Sequence, residues 1–516
     1  MKRLIYLLAL GLLIMAETAL AAGEVQLDVK EKTLSNGMRI LVVENHIAPV
    51  ISTYIRFRVG AVDEHNGITG ISHFLEHMLF KGTKIFGTSN YEAEVPLMKK
   101  IDSLGALLEM EKGIFRNLLR GGSEDRVKAL RAEIAAVQAE QAKYIIKDEL
   151  WETYLKNGGN GLNASTGNGG TQYYLSLPAN RLELWAFMEA DRMANLVFRE
   201  FYSERDVIRE ERRLTTENQP NRFLSEALGA TAMWASPYHW SVVGWATDIE
   251  NYRLQDMEEY FHTYYHPSNA IAVVVGDVKP EEVFTLCEKY FGAIPARPAP
   301  RQVFTDDAPQ QGERRVEVEY DAKPSAMIGW HMPQIGHPDV AALDVLSDIL
   351  SKGRTSRLYK NIMEKKLGRA SAGVSFSRYP ELFTSNITPM GQHSVEEVID
   401  ATLAEIDRLK TEPVQPWEIE RVRAQYDADF VRNLTSSIGM AFRIGDMEAM
   451  AGDWHYLIDY RDEYKRVTPE DIMRVANKYF TKSNRTIATL VNTGAKPAGG
   501  PGRPGGPGGP GGRPGM

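Results

Sequence analysis

The chain has 516 residues, of which 43% are hydrophobic and 25% charged, with a formal net charge of −8 at pH 7. This composition is typical of a globular protein, and the length exceeds what one hydrophobic core usually spans, so we expect two domains. The negative net charge and the scattered basic residues argue against nucleic acid or an anionic membrane surface as the main partner.

The N-terminus has the pattern of a secretory signal peptide. Two basic residues precede an apolar run at residues 4–15, and small residues follow, so we expect residues 1–21 to be removed. The run is too short to span a bilayer comfortably, although an uncleaved membrane anchor is the alternative. A single cysteine, Cys287, excludes an intrachain disulfide. We therefore expect an exported protein without a membrane segment after processing, located in a bacterial periplasm.

Two strand signals come next in the chain. Asn36-Gly37 separates two apolar runs within residues 33–43, and this dipeptide in such a position predicts a β-hairpin. A further strand is predicted at about residues 51–59. The segment that follows it has helical spacing, so the first helix of the chain should come directly after this strand.

That helix contains the pattern His-x-x-Glu-His at His73, Glu76 and His77. At 3.6 residues per turn these side chains share one surface, and the apolar residues between them predict burial of the other faces. Buried polar side chains need partners, and two histidines at i and i+4 can share a metal ion. The residue order is that of the inverzincin metallopeptidase motif. A helix whose histidines only cap or pair within the core is the alternative.

A segment of different character extends from about residue 91 to residue 158. Apolar residues recur there at spacings of three and four, and Ser123 with two acids behind it is a typical helix start. These patterns predict an antiparallel helical hairpin at about residues 95–157, inserted into the first domain; a plain core helix is the alternative. The spacing is carried by Leu97, Ile101, Leu104 and Leu108, then by Val127, Leu130, Ile134, Val137, Gln141 and Tyr144.

A zinc ion held by two histidines needs a third protein ligand, and an acidic helical stretch further along offers four glutamates. At about 100° per residue, Glu204 and Glu211 fall within the apolar stripe of Val207, Ile208 and Leu214, and the other two glutamates fall at its edge. A metal ion would compensate the buried carboxylate of Glu211. Glu204 is expected to support the site; an ordinary acid at a helix N-terminus is the alternative.

An internal repeat divides the chain into two related halves. Residues 256–269 align without gaps on residues 471–484, an offset of 215. The segment around Leu75 aligns on the segment around Leu346, an offset of 271. The two offsets differ by 56 residues (271 − 215), about the length of the predicted hairpin. The second half should lack the ligands, because its residues at the motif positions are Asp344, Ser347 and Asp348.

The repeat and the composition together predict the domain order. A first domain at residues 22–296 carries the motif, and a homologous, non-catalytic domain follows at residues 313–493. The Pro-rich segment 297–312 is the predicted linker. Residues 494–516 are rich in Gly and Pro, cannot bury a core, and are expected to be a disordered tail.

These features together resemble the pitrilysin/insulysin family of inverzincin zinc metallopeptidases, most closely the branch that includes the mitochondrial processing peptidases. The resemblance covers nearly all of the chain after the predicted signal peptide, through HFLEHMLFKGT, ERDVIREE, NAIAVVVGDVKPEEV and GRTSRLY. The fold that it implies is α+β, with two homologous domains. Each domain would be an antiparallel sheet flanked by helices, with the helical hairpin as an insertion in the first.

The resemblance implies that His73, His77 and Glu211 bind a zinc ion (Zn2+), with Glu76 as the catalytic base and Glu204 as the supporting catalytic acid. The implied activity is that of a zinc endopeptidase acting on peptides or unfolded polypeptides. A closed chamber would need a second copy of the chain or a related subunit, so we expect a homodimer or heterodimer. The alternative is a weakly active or inactive zinc-binding assembly or chaperone subunit; a metal-binding transport accessory would not need Glu76.

Substrate binding is where the sequence departs from the family. Many members pair an Arg with a Tyr seven residues later in the second half, but Met363 and Ala370 occupy these positions here. The resemblance leaves the segment with Asn163 and Ala164 as the predicted substrate-binding strand, which would add a peptide as another strand beside the zinc. A loop that only leads into a strand is the alternative.

Overall fold

The computed structural model describes residues 27–116 and 123–494. The predicted signal peptide and all but the first residue of the predicted tail lie outside the described residues. Within these two ranges, none of the helices combines the length and the apolar character that a membrane span requires.

Two β-sheets organise the chain, one in each half. Their strands are β1 (Val29–Thr33), β2 (Arg39–Glu44), β3 (Val50–Phe57), β4 (Asn160–Thr166), β5 (Thr171–Pro178), β6 (Ala270–Gly276), β7 (Arg314–Glu319), β8 (Ser325–Met332), β9 (Gly368–Gly373), β10 (Glu381–Pro389) and β11 (Arg485–Val491). The first sheet has the order β1-β2-β6-β3-β5-β4, and the second has the order β7-β11-β8-β10-β9. β1 and β2 form the hairpin predicted around Asn36-Gly37.

Each sheet is mixed rather than antiparallel throughout as predicted. β2 and β6 run parallel, as do β7 and β11, while the other neighbouring strands run antiparallel. The parallel pairs arise because the last strand of each half follows a helix that returns the chain to the starting end of the sheet. The α+β class is confirmed.

The helices of the first half are α1 (Ile71–Met78), α2 (Tyr91–Arg116), α3 (Glu124–Gln141), α4 (Glu149–Lys156), α5 (Leu182–Asn195), α6 (Phe201–Arg212), α7 (Pro220–Ala232), α8 (Ala246–Ile249), α9 (Leu254–Tyr264) and α10 (Pro280–Tyr290). Those of the second half are α11 (Val340–Ser351), α12 (Val395–Thr411), α13 (Pro416–Leu434), α14 (Ser437–Met450), α15 (Tyr456–Arg466) and α16 (Pro469–Tyr479). A π-helical turn, Arg213–Glu217, continues α6.

The two halves share one topology, which confirms the predicted pair of homologous domains. β2, β6, β3, β5 and β4 have the same order and relative directions as β7, β11, β8, β10 and β9, and β1 is an addition to the first sheet. The repeat offset of 215 residues relates α9 to α16 at both ends, and it relates β6 to β11 in the same way.

The hairpin helices α2 and α3 pack against each other. Ser123 caps α3, since its hydroxyl accepts a hydrogen bond from the backbone N–H of Arg126. Gly105 brings α2 close to α6, because a β-carbon at this position would overlap the hydroxyl of Tyr202. The hairpin therefore lies directly against the helix that carries Glu204 and Glu211.

Each sheet packs one face against helices of its own half. In the first half, Ile55 of β3 and Val274 of β6 belong to a buried cluster with Phe74 and Leu75 of α1. Burial of these apolar side chains fixes the rotation of α1 about its axis. The polar residues of its sequence pattern are thereby turned toward α6 and β4, which both contact α1.

The opposite face of each sheet is covered by a helix from the other half. α14 lies on β3 and β6, and it approaches closely because Gly445 leaves room for the ring of Tyr54. In the reverse direction, α7 lies on β7, β8 and β11, where Leu224 and Leu228 join the cluster of Leu490. The two halves are thus held together by reciprocal packing of related parts.

Candidate active site

The helix α1 starts at a defined point of the chain. Gly70 precedes it with a φ of 89°, a conformation that favours glycine. The carboxylate of Glu64 accepts hydrogen bonds from the backbone N–H groups of Gly70 and Ser72, at 2.6 and 2.9 Å. These bonds satisfy N–H groups at the helix start that have no partner within the helix. The start of the motif helix is therefore anchored to the preceding loop.

The structure brings His73, His77 and Glu211 together. The Nε2 atom of His73 lies 3.6 Å from one carboxylate oxygen of Glu211, and the Nε2 atom of His77 lies 3.5 Å from the other. One ligand atom from each of the three residues lies within 4.8 Å of the others, and in the described ranges this is the one such group of three that could hold a metal ion.

These distances fit zinc better than they fit hydrogen bonds. At 3.5 to 3.6 Å, each pair is longer than an ordinary N–H···O bond. Two ligands at about 2.1 Å from one tetrahedral ion would lie about 3.4 Å apart. His73 is also nearly buried, and its Nδ1 atom has no hydrogen-bond partner in the described part of the chain. Its imidazole therefore has a strong requirement for an ion on the Nε2 side.

The electrostatics of the two histidines differ. Burial lowers the pKa of His73 to about 3, so its ring is neutral at ordinary pH, as a metal ligand must be. Burial also acts on His77, but the hydrogen bond from its Nδ1 atom to Glu204, 2.9 Å long, outweighs burial and raises its pKa. A carboxylate behind a ligand histidine fixes the tautomer and the ring orientation. The structure thus places Glu204 behind His77.

Glu76 lies beside the cluster and outside the group of potential ligands. Its carboxylate accepts a hydrogen bond of 2.6 Å from the hydroxyl of Thr166, a contact that the sequence analysis did not identify. Burial raises the pKa of Glu76, which makes the carboxylate a better proton acceptor. The pairing of β4 with β5 holds Thr166 in place.

The buried face of α6 differs from the predicted one. The helical wheel relied on Val207, Ile208 and Leu214, but Val207 is 49% exposed and Leu214 is 50% exposed. Leu214 lies in the π-helical turn, where the side-chain positions shift relative to an α-helix. Glu204 and Glu211 nevertheless face α1. The buried side of α6 is formed by Phe201, Tyr202, Glu204, Arg205, Ile208 and Arg212.

A cavity of about 690 Å³ opens beside the cluster, between the two halves. Of the predicted site residues, it is lined by His73, Glu76, His77, Ala164 and Glu211. Asn163 does not line it, and neither do Met363 and Ala370. The second half contributes three lining residues from β10 that the sequence analysis missed, namely Glu381, Leu382 and Thr384.

The strand β4 forms one wall of this cavity and one edge of the first sheet. It pairs with β5 alone among the described strands, with an irregularity between Asn160 and Asn163. The backbone N–H of Ala164 donates a hydrogen bond to the side chain of Asn163. The remaining outward N–H and C=O groups of such an edge are available to another extended chain.

Comparison with known proteins decides the family. The model described as "Insulinase (Peptidase family M16)" matches residues 39–105, and the model described as "Peptidase M16 inactive domain" matches residues 251–426. The zinc protease PqqE of Helicobacter pylori is 29% identical over 474 residues, which cover 89% of this chain and 91% of that protein. The chain belongs to the peptidase M16 family.

Two further M16 comparisons agree in extent. The mitochondrial-processing peptidase subunit beta of Lentinula edodes is 21% identical over 89% of each chain. A crystal structure of a protease from Helicobacter pylori matches with a TM-score of 0.76 and 26% identity, covering 90% of this chain and all of that one. The insulinase model contains the His73 motif, and the inactive-domain model covers α11, where the motif is absent.

Proposed function

We propose that this M16 protein is a zinc-dependent endopeptidase that hydrolyses peptides or unfolded polypeptides in the cleft between its halves. The observation that carries the proposal is the convergence of His73, His77 and Glu211 beside a cavity, with Glu76 adjacent and free of a ligand role. A purely structural zinc site would be closed by a fourth protein ligand. Three ligands and a neighbouring carboxylate support catalysis instead.

The residues would divide the chemistry as follows. A zinc ion held by His73, His77 and Glu211 would supply Lewis acidity toward a peptide carbonyl and toward water. Glu76 would accept a proton from the attacking water and pass it to the departing amine. Thr166 would hold Glu76 in position through its hydrogen bond of 2.6 Å. Glu204 would keep the ring of His77 oriented toward the ion.

Substrate would bind as an extended segment. The edge of β4 is placed to add a peptide strand beside the cluster, and main-chain hydrogen bonds would supply most of the affinity. Ala164, with its small side chain, lines the cavity on this side, and residues of β10 line it on the other. A cavity of about 690 Å³ admits a short extended segment and excludes a folded domain, which favours peptides and unfolded chains.

We further propose export to a bacterial periplasm and assembly of two chains. The export proposal rests on the sequence pattern of residues 1–21. The assembly proposal rests on the fold, since one chain supplies two homologous domains and a closed chamber needs four. The partner is a second copy of this chain or a related M16 subunit. Light scattering of the purified protein would test the homodimer, and a fully active monomer would contradict both forms.

A substitution at Glu76 tests the function. The variant Glu76→Gln should keep zinc and lose hydrolysis of a mixed peptide library, because the amide retains the shape of the side chain and cannot accept the proton. The comparison variant His77→Ala should lose zinc and hydrolysis together. Metal analysis and a peptidase assay with and without chelator would measure both.

Two outcomes of this test would contradict the proposal. An active Glu76→Gln enzyme would rule out the mechanism. A wild-type protein that binds zinc and hydrolyses no peptide would favour a zinc-binding assembly or chaperone subunit, an alternative suggested by the inactive-domain description of the model that matches residues 251–426.

A further inference from the structure

Three side chains connect the end of α1 to the start of α6. The Nδ1 atom of His77 lies 2.9 Å from one carboxylate oxygen of Glu204, and the other oxygen lies 2.5 Å from Nζ of Lys81. Lys81 follows the last residue of α1 by three positions, and Glu204 lies in the first turn of α6. Both oxygens of Glu204 are therefore committed, one to each element.

The Lys81–Glu204 pair is shielded from solvent. The side chain of Lys81 is 23% exposed and that of Glu204 is 11% exposed, so their attraction is screened less than that of a surface pair. Lys81 also lies 3.5 Å from the carboxylate of Glu200. Glu200 has a φ of 58°, a conformation that costs a non-glycine residue about 1 kcal/mol or more. Lys81 thus contacts the point where the chain turns into α6.

The two histidines depend on this connection to different degrees. The Nδ1 atom of His73 is buried without a hydrogen-bond partner among the described residues, so packing alone orients its ring. The ring of His77 is less buried than that of His73, and its Nδ1 atom bonds to Glu204. The orientation of His77 therefore depends on the position of the Glu204 carboxylate, which Lys81 holds from the other side.

The second half separates a structural role from a role in the metal site. Lys352 corresponds to Lys81 at the offset of 271 residues, and its Nζ atom lies 3.1 Å from both Asp348 and Asp429. A lysine after the motif helix thus makes ion pairs in both halves. In the first half alone, within the described ranges, does this lysine reach an imidazole through a carboxylate.

We propose that Lys81 is a positioning residue of the metal site: it holds Glu204, and through Glu204 it fixes the ring of His77 and the spacing between α1 and α6. The inference rests on the proposed function only in taking zinc as the ion. Partners behind a metal ligand typically contribute about 10- to 100-fold to metal affinity. Because Lys81 is one contact further from the ion than Glu204, its effect should fall in the lower part of that range.

Zinc affinity of the full chain tests this inference without an activity assay. The variant Lys81→Met keeps the length of the side chain and removes its charge, and we expect it to weaken zinc binding by about 10-fold in competition with a chelating indicator. Lys81→Arg should restore binding to within about 3-fold of wild type. The matched control is Lys84→Met, since Lys84 is exposed and close by; this variant should bind zinc as wild type does.

A double-mutant cycle with Glu204→Gln distinguishes positioning from general stability. If Lys81 acts through Glu204, Lys81→Met should change zinc affinity by less than about 2-fold once Glu204 is replaced. Unchanged zinc affinity in Lys81→Met, or an equal loss in both backgrounds, would overturn the inference. Lys81→Gln serves the same purpose if Lys81→Met does not fold. A wild-type chain that binds no zinc would instead contradict the proposed function.

Discussion

Corresponding helices in the two halves carry different chemistry. In α1, His73 and His77 turn their Nε2 atoms toward Glu211 at distances too long for hydrogen bonds. In α11, the corresponding residues are Asp344 and Asp348, and each accepts a hydrogen bond of 2.8 Å from a tyrosine of α15. The polar groups of α11 are therefore satisfied within the protein, whereas those of α1 require an ion.

The third ligand position shows the same contrast. α6 and α13 begin at residues related by the repeat offset of 215, so Tyr426 corresponds to Glu211. The ring of Tyr426 stacks on Tyr464 with a centroid distance of 4.1 Å. An aromatic ring thus fills the place of the ligand carboxylate. The comparison teaches that one scaffold gives a metal site or a closed polar core, depending on three or four side chains.

The largest expected effect comes from writing the second half into the first. Glu211→Tyr places the residue of Tyr426 at the ligand position, and we expect the loss of bound zinc and of hydrolysis, by about 10³-fold or more, since the metal contributes several kcal/mol to catalysis. Metal analysis and peptide hydrolysis would measure this. The reverse variant, Tyr426→Glu, should leave the zinc content at one ion per chain; a zinc-loaded, active Glu211→Tyr enzyme would break the comparison.

A smaller effect concerns stability and pH in the second half. Burial, followed by the neighbouring charge of Asp348, raises the pKa of Asp344 from 3.8 to about 7. In the unfolded chain this carboxyl loses its proton near its ordinary pKa, so between about pH 4 and pH 7 the folded state binds more protons. Stability should therefore fall as the pH rises through this window, by roughly 2–4 kcal/mol for this group.

The variant Asp344→Asn isolates that contribution, because its amide does not titrate. Tyr460, Tyr464, Tyr426 and Lys352 face the same cluster, and they titrate above this window. Urea unfolding of wild type and variant at several pH values should show a stability difference in favour of the variant that grows from pH 4 to pH 7. A difference that stays constant with pH would show that Asp344 is ionised in the folded protein.

The smallest expected effect concerns the edge strands of the two sheets. β4 and β9 occupy the same place in their sheets, but β4 alone of the two lies beside the ligand cluster. If a peptide adds to β4, N-methylation of a substrate amide that bonds to this edge should weaken binding by about 1 kcal/mol. A methyl scan of one peptide with the Glu76→Gln enzyme would measure this, and equal affinity at every position would exclude strand addition.

The sequence predicted those features that depend on neighbours along the chain. The spacing of His73, Glu76 and His77 placed them on one helical surface without knowledge of the fold. Repeat offsets located α9, α16, β6 and β11 correctly, because these elements keep their lengths in both halves. The wheel selected the glutamates that face α1 even though Val207 and Leu214 proved exposed.

The features that the sequence did not predict depend on distant contacts. Thr166 reaches Glu76 across 90 residues, and Glu381 enters the cavity from the other half. No periodic pattern carries such information, since it arises only when the sheet sets β4 beside α1 and the halves pack together. The parallel strand pairs were missed for the same reason, because strand direction follows from where the chain returns.

The exchange of α7 and α14 between the halves ties the candidate active site to their relative position. Glu211 is followed by the turn Arg213–Glu217 and then, from Pro220, by α7, which lies on the sheet of the second half. A shift of the second half would act on α7 as on a lever whose short arm ends at Glu211. The half without ligands thus has a mechanical share in the coordination geometry of the half that carries them.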